Sequence, residues 1–200
     1  LMNYPSLPTV PETTRGKSFA IVRGCYAGDV RDGEALLEPW RSWRDPTVDV
    51  FRPMPFSEAG TISRDPEDPV PSVISGAWLR DLGSEVVEAL VRFTFPLTTP
   101  PPVVFTEVRH VGSAGPKADP DSSAFSARDA DMVLTSVAMA QTSGAAQAAR
   151  DHMLAMKALL GSHLMKRAYM NFLEGEESRA RIADAFPPAT FAQFLSQSHQ

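Results

Sequence analysis

Two hundred residues, 43% of them hydrophobic, are enough for one ordinary domain with a sizeable core. A formal net charge of -5 excludes nucleic acid as a partner, because phosphate binding needs concentrated Lys and Arg. No apolar run approaches the roughly 20 residues that cross a bilayer, so no membrane partner is expected.

Residues 1–10 have no basic start followed by an apolar stretch, so no signal peptide is visible and a cytoplasmic protein is the expectation. The single cysteine, Cys25, excludes an intrachain disulfide framework and a Cys-based zinc site, and its apolar surroundings predict a small buried side chain. Eighteen prolines cluster between other segments and punctuate the fold, since proline removes a backbone donor.

Residues 1–16 read as a linker: Pro5, Pro8 and Pro11 interrupt a stretch without apolar periodicity. Residues 18–26 read as a mostly buried strand, broken by the turn at Ala27, Gly28 and Asp29. Residues 32–43 read as a helix that Pro39 should end or kink early. Residues 48–64 leave a short strand and one helical turn around Pro55 to Ala59 open. The charged run from Arg64 to Pro69 reads as a solvated loop.

A second strand is predicted over residues 72–79. Leu82, Val86, Ala89, Leu90 and Phe93 then recur at the spacing of one buried helix face, with Ser84 as N-cap. Residues 102–111 make a further strand, in which Glu107 and His110 face opposite ways and cannot share a metal ion. Gly112 to Gly115 lacks the Lys-Ser/Thr ending and the helix of a phosphate loop. Residues 131–140 read as a strand with Met132, Leu134 and Ser136 on one face. A helix over 145–164 buries Ala149, Met153, Met156 and Leu160. A helix over 176–186 ends at Pro187 and Pro188, and a last short one runs to Leu195. This order predicts an α+β fold, a mainly antiparallel sheet with helices packed on one face.

Between the long helix and the acidic one lies Tyr169-Met170-Asn171-Phe172-Leu173. On an extended chain, Tyr169 and Asn171 would point the same way, so a phenol and an amide would address one spot. Such a pair can position and polarise a ligand, or simply satisfy backbone groups. Cys25 with His110 would make a nucleophile and base, but the sequence supplies no orienting partner, so a hydrolase ranks behind.

The Tyr169 segment resembles the Tyr-x-Asn-(Tyr/Phe) motif of berberine-bridge-enzyme-like FAD-linked oxidases, within the vanillyl-alcohol-oxidase superfamily. Gly24-Cys25-Tyr26-Ala27-Gly28-Asp29 with Arg52-Pro53-Met54-Pro55-Phe56 is similar to the start of that family's substrate domain. His110-Val111-Gly112-Ser113-Ala114 and Ala124-Phe125-Ser126-Ala127-Arg128-Asp129-Ala130 resemble two further family stretches, with Ser113 in place of a Gly and Ala127 in place of a His. Only the C-terminal substrate-domain portion is matched, which implies a substrate-binding domain over 17–200 and an absent FAD-binding domain.

The resemblance implies a substrate-binding portion of an FAD-dependent oxidoreductase that oxidises an alcohol or amine carbon, with O2 as acceptor. It implies Tyr169 as catalytic residue, Asn171 as a cofactor-binding residue, and Leu134 and Ser136 as substrate contacts. Ordinary tyrosine titrates near 10, so a base at this position needs a neighbouring cation or donor. The partners implied are a small-molecule substrate and the missing FAD-binding domain, and the chain alone is expected neither to hold FAD tightly nor to turn over. The competing reading is a non-enzymatic α+β module that binds a small ligand or closes into a homodimer through its sheet.

Overall fold

The computed structural model describes residues 1–63, 68–96, 102–111, 124–125, 127 and 129–197. The Gly112 to Gly115 stretch, Ser126, Arg128 and most of the charged run after Ser63 lie outside the described residues. Two compact units form, Leu1–Ala20 with Val70–Gln200, and Ile21–Pro69.

The first unit is α+β. Strands β1 (Met2–Asn3), β2 (Ser18–Phe19), β3 (Ser72–Leu79), β4 (Phe105–His110) and β5 (Met132–Met139) form one sheet in the order β2-β1-β4-β5-β3. Every pairing is antiparallel. Two registers fix which side chains share a face: Trp78 opposite Val133, and Val133 opposite Arg109. Alternation then sends Leu79, Ala77 and Leu134 to the other side.

That second side is covered by helices α2 (Ser84–Thr94) and α3 (Ser143–Leu160). Leu79 and Leu134 pack there with Val86, Ala89, Leu90, Met156 and Leu160, while Val73 and Ala138 pack with Ala146, Ala149 and Met153. The helical residues are those whose spacing predicts one buried stripe on each helix. Thr142 caps α3 by accepting from Ala145 N at 3.1 Å, and Gly161 at φ 46° ends it before the expected residue 164. Ser84 opens α2 as a helical residue; the capping position is Gly83, whose N–H donates to Asp81 Oδ1 at 3.1 Å.

The N-terminal stretch differs from the linker expected over 1–16. Met2–Asn3 enters the sheet between β2 and β4, and the Asn3 side-chain amide donates to the carbonyls of Thr94 and Val103. A strand needs partners more than periodicity, and these two residues find one on each side. Conversely, the strand expected over 18–26 shrinks to two residues, because β1 offers it only Phe19 and Ser18 as register positions.

The second unit carries α1 (Val30–Trp43) and a 3₁₀ turn at Phe56–Thr61. Asp29 caps α1 by accepting from Arg31 N at 2.8 Å, and the helix continues four residues past Pro39 instead of stopping there. No described residue of this unit is buried, and Cys25 is exposed rather than buried as expected. No strand forms between residues 48 and 63. Helices α4 (Gly175–Arg181) and α5 (Pro188–Gln197) close the first unit's chain, a 3₁₀ turn at Ile182–Ala185 replacing the end of the helix expected to reach 186.

Candidate functional site

The Tyr169 segment is held against the face of the sheet opposite α2 and α3. After α3 the chain runs along the free edge of β3: Arg80 N donates to His163 O and Met165 N donates to Trp78 O, each at 2.9 Å. Beyond that point Gly76 O accepts from the Lys157 side chain instead, and the chain folds on itself. Tyr169 is extended (φ -118°, ψ 106°), and Met170–Phe172 closes a 3₁₀ turn in place of the expected strand. Phe172 N to Tyr169 O at 3.0 Å satisfies the backbone locally.

Gly76 of β3 is what lets this turn approach. A Cβ there would lie 2.7 Å from Phe172 Cβ and 2.9 Å from Phe172 O. The turn's flanks are anchored by Ala168 and Leu173, buried with Ala185.

Tyr169 and Asn171 meet, through the turn rather than by strand alternation. Asn171 Nδ2 donates to the Tyr169 hydroxyl oxygen at 3.1 Å, at an exposed position. The Tyr169 ring packs on Trp78 (5.6 Å between centroids), Phe125 (6.0 Å) and Phe172 (5.0 Å). Ring pairs at these distances and tilts favour a fixed orientation. Arg109 stacks its guanidinium 5.5 Å from the Phe172 centroid and pairs with Glu107 at 2.7 Å. Trp78 is 1% exposed, and its Nε1 has no hydrogen-bond partner among the described residues.

Leu134 and Ser136 do not join this group. Register puts them on the helix-covered face, where Leu134 is 1% exposed inside the core and Ser136 is fully buried. The Ser136 and Thr106 hydroxyls share a hydrogen bond at 3.2 Å. The correction has a simple cause: even-numbered positions of β5 face α2 and α3, and the odd-numbered Val133 faces Tyr169.

Two ionic groups lie on α3 and just after it. Lys157, on the stripe of α3 between Met153 and Leu160, donates to Glu177 Oε1 and to Gly76 O at 2.8 Å. Burial pushes its ammonium below the usual lysine range, against the opposing pull of Glu177. A lysine spaced four residues after Met153 was the available signal. His163 sits 3.0 Å from Asp81, which holds it above its ordinary value, mainly through their hydrogen bond. A groove of about 250 Å³ opens beside His163, lined by Glu85, Glu88, Arg92 and Leu159 among others, and includes no residue of the Tyr169 turn. Among the described residues no three His, Cys, Asp or Glu side chains group as metal ligands, and no helix is long and apolar enough to cross a membrane.

For the flavin implied by the resemblance, the turn fits a ring contact. Asn171 is exposed and offers a second N–H and its Oδ1 to a ring edge. That fit extends to the ring alone.

No protein-family model matches the chain, and no curated protein matches it. Among solved structures, a variant of Physcomitrella patens BBE-like 1 superposes with a TM-score of 0.48 at 14% identity, over 61% of this chain and 26% of that one. The chain thus spans about a quarter of that protein's length. At that TM-score the likeness carries no argument; the α+β assignment stands on the pairing and packing described above.

Proposed function

We propose that this chain supplies the substrate-contacting side of an FAD-dependent oxidoreductase acting on an alcohol or amine carbon, with Tyr169 as the base and Asn171 as its hydrogen-bonding support. The observation that supports the reading is the Asn171 Nδ2 hydrogen bond to the Tyr169 hydroxyl oxygen. This is the kind of donor that a tyrosine base needs. It gives the deprotonated phenol oxygen, the form that accepts a proton, a hydrogen-bonding partner.

The cofactor, held mainly by a further domain of the complete protein, would supply the hydride acceptor. Tyr169 takes the proton from the substrate hydroxyl or amine. The rings of Trp78, Phe125 and Phe172 keep the phenol from swinging, and Asn171 offers its remaining amide groups to cofactor or substrate. Leu134 and Ser136 act as core and leave specificity to the Tyr169 face.

The test is to express the chain with its natural flanking sequence and look for bound flavin. Flavin bound, with Tyr169→Phe lowering kcat about 10²–10⁴-fold and leaving flavin content unchanged, is the expected result. A full-length protein without flavin removes the oxidoreductase reading, and an unchanged kcat removes Tyr169 as the base.

A further inference from the structure

The turn that carries Tyr169 and Asn171 is closed at its base by charges, although its own residues are mostly apolar. Arg181, at the end of α4, donates from Nη2 to the carbonyls of Lys166 (3.1 Å) and Arg167 (2.8 Å), just before the turn. Its Nη1 lies 3.9 Å from Glu177 Oε1, just after the turn. One guanidinium therefore spans both ends of the loop that runs from 168 to 176.

Glu177 in turn fastens that base to the sheet. Its Oε1 accepts from Lys157 of α3, and its Oε2 accepts from Ser75 Oγ of β3 at 2.7 Å. Lys157 also donates to Gly76 O, on the edge of β3 that residues 163–165 leave uncovered. Gly76 is the residue on which Phe172 of the turn rests. Side chains from α3, β3 and α4 thus converge on one carboxylate.

Solvation alone does not account for this placement. The Lys157 side chain is only 11% exposed and that of Glu177 is 23% exposed. An ion pair at such a site gives little stability over an apolar pair of equal volume, yet it is strongly directional. Its use is then registry: it allows one placement of α4 along β3, and with it one placement of the turn.

We propose that Glu177, held by Lys157 and Ser75 and linked to Arg181, is the positioning residue that sets the pose of the Tyr169–Asn171 pair. The catalytic arm of the test rests on the function proposed above; the structural arm does not.

The structural arm uses the chain as it stands. In NMR spectra, through-space cross-peaks between the Asn171 side-chain amide and the Tyr169 ring report the pair directly. Glu177→Gln and Arg181→Met are each expected to lose those cross-peaks and to shift the Tyr169 and Phe172 ring signals, while amide protection across β3, β4 and β5 persists. Leu160→Ala, which loosens the core on the same helix as Lys157, is expected to keep the cross-peaks, so general destabilisation is separated from positioning.

Cross-peaks retained in folded Glu177→Gln and Arg181→Met would overturn the proposal, and so would their loss in Leu160→Ala to the same degree. Should a single variant fail to fold, Lys157→Met/Glu177→Met removes both charges together and carries the same measurement. In the complete enzyme, Glu177→Gln is expected to lower kcat at least tenfold with KM nearly unchanged. Loss of the cross-peaks with an unaffected Tyr169→Phe enzyme would leave the clamp standing and remove only the assigned base.

Discussion

His163 lies between two carboxylates, 3.0 Å from Asp81 and 3.7 Å from Glu85, at the point where the chain leaves α3 for the edge of β3. The hydrogen bond to Asp81, helped by the charges of Asp81 and Glu85, raises the His163 pKa above 6.5. The same bond, with a second from Gly83 N, lowers the Asp81 pKa below 3.8. Stability from the raised histidine is fully present below about pH 6.5 and is lost as pH rises through its higher folded value. Stability from the lowered aspartate is present above about pH 3.8 and is lost as pH falls through its lower folded value. The difference in urea midpoint between the protein and Asp81→Asn is therefore expected to peak between these values and to close at alkaline pH. A difference that grows with pH would contradict the assignment. Both groups are solvent-facing, so the effect is modest and weakens with salt. The sequence placed Tyr169 and Asn171 together and the structure does too, by a different backbone route. Nothing in the sequence pointed to Arg109 over Phe172 or to Ser75 on the Glu177 carboxylate, because those contacts join residues more than sixty positions apart.

Helix α3 shows how far periodicity decides an element's place. Met153 is 1% exposed against Val73, Ala138 and Ala149, while its neighbour Leu154 is 57% exposed. Met153→Ala is expected to cost about 2–5 kcal/mol in denaturant unfolding. Leu154→Ala is expected to stay within about 0.5 kcal/mol. Equal costs would mean that α3 does not present this face to the sheet. The stripe was legible because a helix buries one face at fixed spacing, and the same rule located α2. The strand expected over 18–26 failed for the opposite reason: a β-strand is completed by a neighbour, and β1 pairs with only two of those residues. In β5 the alternation was legible, but which face would meet Tyr169 was not. Either face could have been the site until α2 and α3 covered the even-numbered one.

At the scale of the whole molecule, the contrast is between a unit with a layered core and one in which no described residue is buried. Local opening follows burial, since segments with few apolar contacts unfold at low cost. Limited trypsin digestion is expected to cut at Arg23, Arg31 and Arg44 well before Arg150 in α3, and hydrogen exchange is expected to follow the same order. Slow exchange of α1 at the level of β5 would contradict this picture. Composition and apolar spacing, acting within single elements, determined the α+β class, helices α2 and α3, and strands β3, β4 and β5. Tertiary structure alone decided the rest: entry of Met2–Asn3 into the sheet, the 3₁₀ form of the turn, the burial of Leu134 and Ser136, and the convergence of Lys157 with Glu177. Each of these depends on which distant backbone or charge lies alongside, and a linear pattern carries no record of that neighbour.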